Sequence, residues 1–517
     1  MQAALAFLAA LLLAPGPAQP PATAPAAPPT AVKTVPPAAT ATPAPAPAPA
    51  AAAAKPSIPP APPDTFEKAL SSHYAGDYVE AARRFYWYIA TSPQTADNYP
   101  WAQYFLGLDL NKLGFTQAAM LYLATVARER AKPEILPLSL REIEQMTKEG
   151  PYDEDLIIRE LLYGTDFGRI PEDSVDFVEY YRGLVDYTDH RTRWGDEHFA
   201  RVKKDSVYDF QARELKAVYK LQAKDQIADA LADFEALADD PKAPLVVRNE
   251  ARLNAARLHY ERKDYTKALA AYDSVQIPPL DPGRAQIYLE RAWILYRLSD
   301  PSRSYGFLNA LEAPSFRRLF LPDKYLLRAL IYKEKCHYLA AKRAAREFQR
   351  RFRQTLDAIK TREDLKRDPK LMEAALETGA AAKAGDRLAR IQKEREEINR
   401  YASPFATPGL TAKLHEIYDL QEQEATRRRE ILLAEALDAA ADKTLRAEEN
   451  LRLLDYEIGL DIYRRIRRGD HKAIVLEDTP PGPRDVAYIF QGEFWNDELR
   501  SYRLFLKSRC PEVEGAE

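Results

Sequence analysis

The sequence predicts an all-α fold: a solenoid of helical hairpins, then a long helical hairpin or coiled-coil arm, then a short C-terminal capping helix. Three observations carry this. The chain has 29 Tyr but only 19 Gly, a balance that suits packed helices better than β-rich folds with many tight turns. From residue 64 onward, small residues and aromatics recur in a fixed order. Near the C-terminal side, apolar residues step by three and four, the period of a helix seam.

The 517 residues suffice for two to four ordinary domains or one continuous solenoid. Lys and Arg number 74 against 77 Asp and Glu, a net charge of -3. Nucleic-acid binding calls for a basic excess, so none is expected. Two cysteines, Cys336 and Cys510, are too few for a disulfide scaffold or an all-Cys zinc site.

Residues 1–19 read as a signal peptide. Ala3 to Ala14 is an uncharged apolar run of signal-core length, too short to span a bilayer, and Gly16-Pro17-Ala18 supplies small residues for cleavage. Met1-Gln2 lacks the basic start of such a leader, and a disordered Ala-rich leader is the alternative. Export to the periplasm, with an outer-membrane association, is the expected localisation. Residues 20–63 are almost entirely Ala, Pro and Thr, with Lys33 and Lys55 the only charges. Proline denies this stretch regular hydrogen bonding and favours extended polyproline II. Fully extended it would reach on the order of 130 Å, either as a plain spacer or as a tether that crosses a polysaccharide layer or binds a partner.

The repeat region is expected over 64–353. Helix pairs approach closely only where small side chains meet, and a larger ring then fills the gap beside them. One unit has Ala69 on its first helix, Gly76 and Tyr78 at the turn, Ala81 and Phe85 on its second helix, and Pro93 at the exit. Another has Leu106-Gly107, Leu110, Gly114 and Ala119. A third has Ala256, Tyr265, Ala268 and Tyr272, and a fourth Ala329, Tyr332, Tyr338 and Ala341. Weaker units surround Ala230 and Phe234 (with a ragged first helix), Ala292-Trp293 and Ser304, and Gly183 with Tyr180, Tyr181 and Tyr187. The stretch near 130–170 is irregular.

This pattern resembles the tetratricopeptide repeat (TPR), a helix pair of about 34 residues. The resemblance implies antiparallel helix pairs stacked in a right-handed superhelix, with a concave groove that binds peptides or proteins. Groove candidates from first-helix positions are Tyr104, Asn111, Asn254 and Tyr288. The layout of leader, repeats and aromatic acidic tail is similar to large exported TPR proteins of deltaproteobacterial envelope and gliding-motility machines.

After Phe352 the composition changes, and a helical hairpin or coiled coil is expected over 354–470. The basic run 342–353 is either a docking patch for an anionic partner, such as phospholipid headgroups or peptidoglycan, or a solvated helix face. Helices are expected near 371–400 and 410–467, broken by the prolines and glycine of 401–409. Leu437, Ala440, Thr444, Ala447, Leu451, Leu454 and Ile458 form a heptad seam. It serves either an internal hairpin or self-association of two chains through 371–467.

The segment 471–517 opens with Pro480-Pro481-Gly482-Pro483. Phe490, Phe494, Trp495, Leu499 and Tyr502 then repeat at helical spacing, as a capping helix or as a docking motif. In an oxidising envelope a Cys336–Cys510 bond would tie this tail to the last repeat.

Catalytic patterns are sparse. The seven histidines form no His-x3-His or His-Glu-x2-His pair, and the chain shows neither a Gly-rich phosphate loop with Lys nor a Gly-x-Ser-x-Gly elbow. The expectation is a non-enzymatic scaffold without cofactor or metal that holds other envelope proteins or their peptide segments. The rival readings are a structural, oligomerising coiled-coil protein and a cell-wall lytic enzyme, which needs only two carboxylates brought together by the fold.

Overall fold

In the computed structural model, residues 58–278, 281–377, 379–468, 494 and 499–510 are described. Among them the regular structure is entirely helical. Most helices pack on the one that follows them in sequence, and the two helices of each hairpin pack on each other, as a solenoid requires. In order they are α1 Thr65–Tyr74, α2 Tyr78–Thr91, α3 Tyr99–Lys112, α4 Thr116–Glu129, α5 Ile135–Glu149, α6 Val175–Thr188, α7 Thr192–Phe199, α8 Val207–Lys220, α9 Ile227–Asp239, α10 Leu245–Glu261, α11 Tyr265–Asp273, α12 Gly283–Arg297, α13 Pro301–Ala310, α14 Asp323–Glu334, α15 Tyr338–Lys360, α16 Pro369–Glu377, α17 Ala380–Glu397 and α18 Leu410–Arg467. A π-helical stretch, Asp155–Tyr163, interrupts the pairing after α5, inside the region read as irregular.

Six hairpins turn in the same way. Gly76, Gly114, His190, Lys263, Ser299 and Cys336 all adopt positive φ, between 59° and 89°. In each case the following N–H reaches the carbonyl five residues back: Asp77 to Ser72, Phe115 to Leu110, Arg191 to Asp186, Asp264 to His259, Asp300 to Leu295, His337 to Tyr332. These bonds satisfy carbonyls orphaned at the end of the first helix, which is the Schellman device. Glycine adopts the left-handed conformation freely. The four side-chain-bearing residues do so at a cost of about 1 kcal/mol each. The Asp77 and Asp300 side chains then cap the next helix by accepting from the Glu80 and Arg303 N–H groups.

The small residues sit where the repeat pattern requires them. Ala69, Ala81, Phe85, Leu106, Leu110, Ala119, Ala256, Ala268, Ala329 and Ala341 are fully buried. The unit around Gly183 packs by exchange. A Cβ on Gly183 would meet the Phe199 ring at 2.3 Å, and one on Gly195 would meet the Tyr187 ring at 2.4 Å. Each glycine receives the other helix's aromatic. The first helix before Ala230 and Phe234 is not ragged. It is α8, whose Ser206 cap accepts from the Asp209 N–H. Its turn is longer, and that obscured the unit in the sequence.

Two boundaries shift. Residues 58–63, placed in the linker, lie on α2, where the Pro59 carbonyl accepts from Trp87 Nε1 at 2.8 Å and the Ala61 N–H reaches Thr91 Oγ1. The break placed after 353 falls inside α15, which continues to Lys360 with Phe352, Thr355 and Leu356 buried.

The arm does not stand apart. α16 and α17, separated at Gly379 (φ 94°), run antiparallel to α18 and pack on it. The 58 residues of α18 span about 87 Å at 1.5 Å per residue. Near its start, Leu410, Leu414, Ile417, Tyr418 and Ala425 join the core of α1–α5. In the middle, Leu433 and Leu437 pack with Leu371 and Ala375 of α16. Toward its end, Ala447, Leu451, Leu454 and Ile458 join Tyr325, Phe348 and Phe352 of α14 and α15. One helix thus clasps both ends of the solenoid. All seven residues of the heptad seam are buried by this packing. At about 1.5–3 kcal/mol per buried Leu or Ile, the seam is spent on the chain's own fold, so it is not open for pairing with a second copy.

Candidate interaction surface

At the N-terminal end, the first helices of two hairpins bring aromatic side chains together. Tyr74, the last residue of α1, is 76% exposed. Its ring lies edge-on to Phe105 of α3 at 6.4 Å and to His73 at 5.3 Å. Trp101, one turn before Phe105, stacks on it at 6.0 Å, and Tyr104 flanks both. Phe105 is anchored from below by Phe85, with rings 5.5 Å apart and nearly parallel. The spacing 101, 104, 105 is one helix face. The result is a ridge of rings rooted in the core and open at Tyr74.

Beneath the ridge lies a buried acid. Asp109 has no exposed surface, and its Oδ1 is 2.6 Å from His73 Nδ1. Burial pushes the Asp109 carboxyl up to about 8. Burial, and then Lys112, push His73 down. Both shifts favour the uncharged forms, as desolvation demands. Asp109 Oδ2 has no hydrogen-bond partner among the described residues.

Other such atoms among the described residues include Gln103 Oε1 on α3, Glu214 Oε1 on α8, both amide atoms of Asn254 and Nδ1 of His259 on α10, and Ser302 Oγ on α13. Burial, and then Glu250, raise the Glu214 carboxyl to about 7. All but Ser302 stand on first helices. The buried residues of the second helices α2, α9 and α11 are instead Ala, Leu and aromatics.

The four groove residues fare unevenly. Tyr104 is 6% exposed, and burial raises its phenol to about 12. Asn254 has no exposed surface, and Tyr288 is packed against Phe307 and Phe316 with its hydroxyl accepting from Arg284. These three side chains line the interior, not an open groove. The aligned spacing was right for a first helix, but the side facing a neighbouring hairpin was taken for the side facing solvent. Asn111 is half-buried, with its Oδ1 accepting from Thr116 at 3.5 Å. The residues missed were Tyr74, Trp101, Phe105, His73 and Asp109. Trp101-x2-Tyr104-Phe105 on one helix face, with an Asp inside an apolar run one turn later, was the available signal.

The opposite end is covered. Leu499 is fully buried against α12 and α13, with Phe494 and Tyr502 packed beside it. The residues from 499 to 510 form a turn and then an irregular strap, while most of the stretch expected as a capping helix, 487–498, lies outside the described residues apart from Phe494. Its hold on the solenoid comes from backbone bonds, Leu504 N–H to Ser302 and Arg509 N–H to Lys335, and from His337 Nε2 at 2.7 Å from the Lys507 carbonyl. The Tyr502 carbonyl passes so close to Gly306 that a Cβ there would sit 1.9 Å away. Cys510 is disulfide-bonded to Cys336, with Cα atoms 5.1 Å apart. Phe490 and Trp495 lie outside the described residues.

Among the described residues, no group of three or more His, Cys, Asp and Glu side chains is placed to hold a metal, and no helix is long and apolar enough to cross a membrane. The chain matches no family model and no curated protein.

Proposed function

We propose that this chain is a TPR-type scaffold that holds other proteins through the aromatic ridge of its N-terminal first helices, in an envelope compartment outside the cytoplasm. The Tyr74–Phe105–Trp101 ridge, exposed at Tyr74 and half-buried at the other two rings, is the observation that carries the reading. Aromatic anchors set in a rigid frame give large contact area at small entropic cost, which is how binding hot spots are built. The buried polar atoms under the first helices point the same way. An unpartnered buried polar group costs about 1–3 kcal/mol, and an apolar residue would fill the space at less cost. The first helices therefore answer a demand other than stability. The six matching turns support the TPR reading, and the Cys336–Cys510 bond supports an oxidising compartment.

The test is a pull-down from cross-linked envelopes with the whole protein, comparing wild type with Tyr74→Ala/Trp101→Ala. The scaffold reading expects one or a few proteins to vanish from the captured set. An unchanged set rules the ridge out as the binding surface.

A second reading, self-association, has its own observation. On α18 Leu453, Tyr456, Tyr463 and Ile466 are 58%, 66%, 57% and 45% exposed, on the side away from the buried seam. Steps of three and seven among them make an apolar stripe. Sedimentation equilibrium decides it: a dimer that dissociates in Leu453→Glu/Tyr456→Glu supports this reading, and a monomer at all concentrations removes it.

A further inference from the structure

The other end of the molecule carries a second, chemically different recess. It is a hollow of about 130 Å³ lined by Arg318, Leu319, Phe320, Arg351, Phe352, Lys370 and Glu373. Three separate segments supply these groups: the turn before α14, the middle of α15 and the first turn of α16. The floor is apolar. Phe352 is buried, Phe320 half-buried, and their rings meet edge to face at 5.8 Å. The rim is cationic. Arg351 is oriented by a bond from its guanidinium to the Arg317 carbonyl at 2.8 Å. Arg318 is exposed and Lys370 half-buried. Glu373 is the single acidic group against three cations.

A comparison shows what is unusual here. A larger hollow, about 620 Å³, lies among Lys204, Asp205, Asp209, Arg213, Asp240 and Lys242. There the charges answer one another, Arg213 to Asp240 at 3.1 Å and Lys242 to Asp205 at 2.6 Å. The rim cations of the smaller hollow make no such ion pair with a carboxylate among the described residues. Its size excludes a cofactor, whose pockets run roughly 300–1,000 Å³, and suits one side chain. An arginine fork binds carboxylates in bidentate fashion. A bare polyphosphate would leave the phenyl floor unused. Among the described residues, none of the large exposed apolar side chains stands at this rim.

We propose that this hollow docks an acidic peptide segment of a partner protein, with one apolar side chain seated on Phe320 and Phe352 and flanking carboxylates held by Arg318, Arg351 and Lys370. The site is independent of the N-terminal ridge and gives the scaffold a second hold.

The test is fluorescence anisotropy on the full-length, disulfide-bonded protein with the labelled peptide Glu-Asp-Glu-Leu-Glu-Asp-Glu. The peptide should bind at least tenfold more tightly than its Gln/Asn counterpart. Arg318→Glu/Lys370→Glu should weaken binding at least tenfold. Arg346→Glu/Arg353→Glu makes the same charge change on the side of α15 turned away from Arg351, and should weaken it less than threefold. Tyr74→Ala should leave the affinity unchanged, which separates this site from the ridge. Equal losses in the two double variants, no binding by wild type, or full binding by Arg318→Glu/Lys370→Glu overturns the proposal. So does Arg318- and Lys370-dependent sedimentation with phosphatidylglycerol vesicles when the peptide fails to bind, since that assigns the hollow to lipid.

Discussion

The two ends of the solenoid are finished differently. At the C-terminal end the strap crosses α12–α14 and is locked by Cys336–Cys510. At the N-terminal end the frame is just as firmly held from one side, yet Tyr74 remains 76% exposed. There α18 and α17 meet α4. The buried Glu394 carboxylate accepts from the Tyr418 hydroxyl at 2.6 Å, from the Gln117 N–H at 3.0 Å and from Arg390. Gln117 lies in the first turn of α4, so Glu394 caps a helix of another hairpin and sits where the helix dipole favours an anion. One end is closed with backbone bonds and a disulfide. The other is braced from behind and keeps Tyr74 open. Rigidity without closure is what a binding surface needs, and closure is what a solenoid terminus needs.

Four predictions press on this contrast. The largest effect is expected inside the clasp. Leu451→Ala, buried between α18 and α15, should cost about 2–5 kcal/mol in chemical unfolding. Its neighbour Leu453→Ala, exposed, should stay within about 0.5 kcal/mol. Similar losses at both would mean that α18 does not lie on the solenoid as described.

Next is the strap. Cys336→Ser/Cys510→Ser should destabilise by about 2–4 kcal/mol. Hydrogen exchange should rise in 499–510, α14 and the start of α15, while α1–α4 keep wild-type protection. A loss spread evenly over the chain would erase the difference between the ends.

The third concerns pH. The folded-state pKa values of Asp109 and Glu214 are raised, so between about pH 4 and 7–8 the folded chain holds protons that the unfolded chain has released. Their contribution is full below the unfolded values and is lost as pH rises through the folded ones. His73, whose pKa is lowered, acts in the opposite sense below its ordinary 6.5. The clean window is therefore pH 6.5 to 8.5. There the melting temperature should fall by a few degrees, and Asp109→Asn should reduce the fall. A flat wild-type profile would mean that Asp109 is not buried as described.

The smallest stability effect is expected at the open end. Tyr74→Ala should unfold within about 0.5 kcal/mol of wild type and yet lose partner binding at least tenfold. A large loss of stability would make Tyr74 a core residue.

Much of the fold was legible because it rests on volume. Ala69, Ala81 and Phe85 announce a close helix crossing by size alone, and the seam from Leu437 to Ile458 announces a buried stripe by period alone. Conformation without composition was not legible. His190, Lys263, Ser299 and Cys336 take the left-handed turn that glycine marks elsewhere, and nothing in their side chains says so. The course of the strap over 503–510 was not legible, because much of its hold comes from backbone groups that every residue carries and from the bare space over Gly306. The seam showed that α18 had a partner but not which one. The groove residues were chosen by register, and Asn254 and Tyr288 show how little register says about which side of a first helix meets water.

The most direct test of the central claim, that the N-terminal ridge holds a protein, is site-specific photo-crosslinking in the native envelope. A benzophenone amino acid is placed at Tyr74 or, as a control, at Arg193, whose side chain is 91% exposed elsewhere on the solenoid. A discrete adduct of defined mass is expected at 74, lost when Trp101→Ala is added, and none at 193. Equal adducts at both positions, or an adduct at 193 alone, would contradict it.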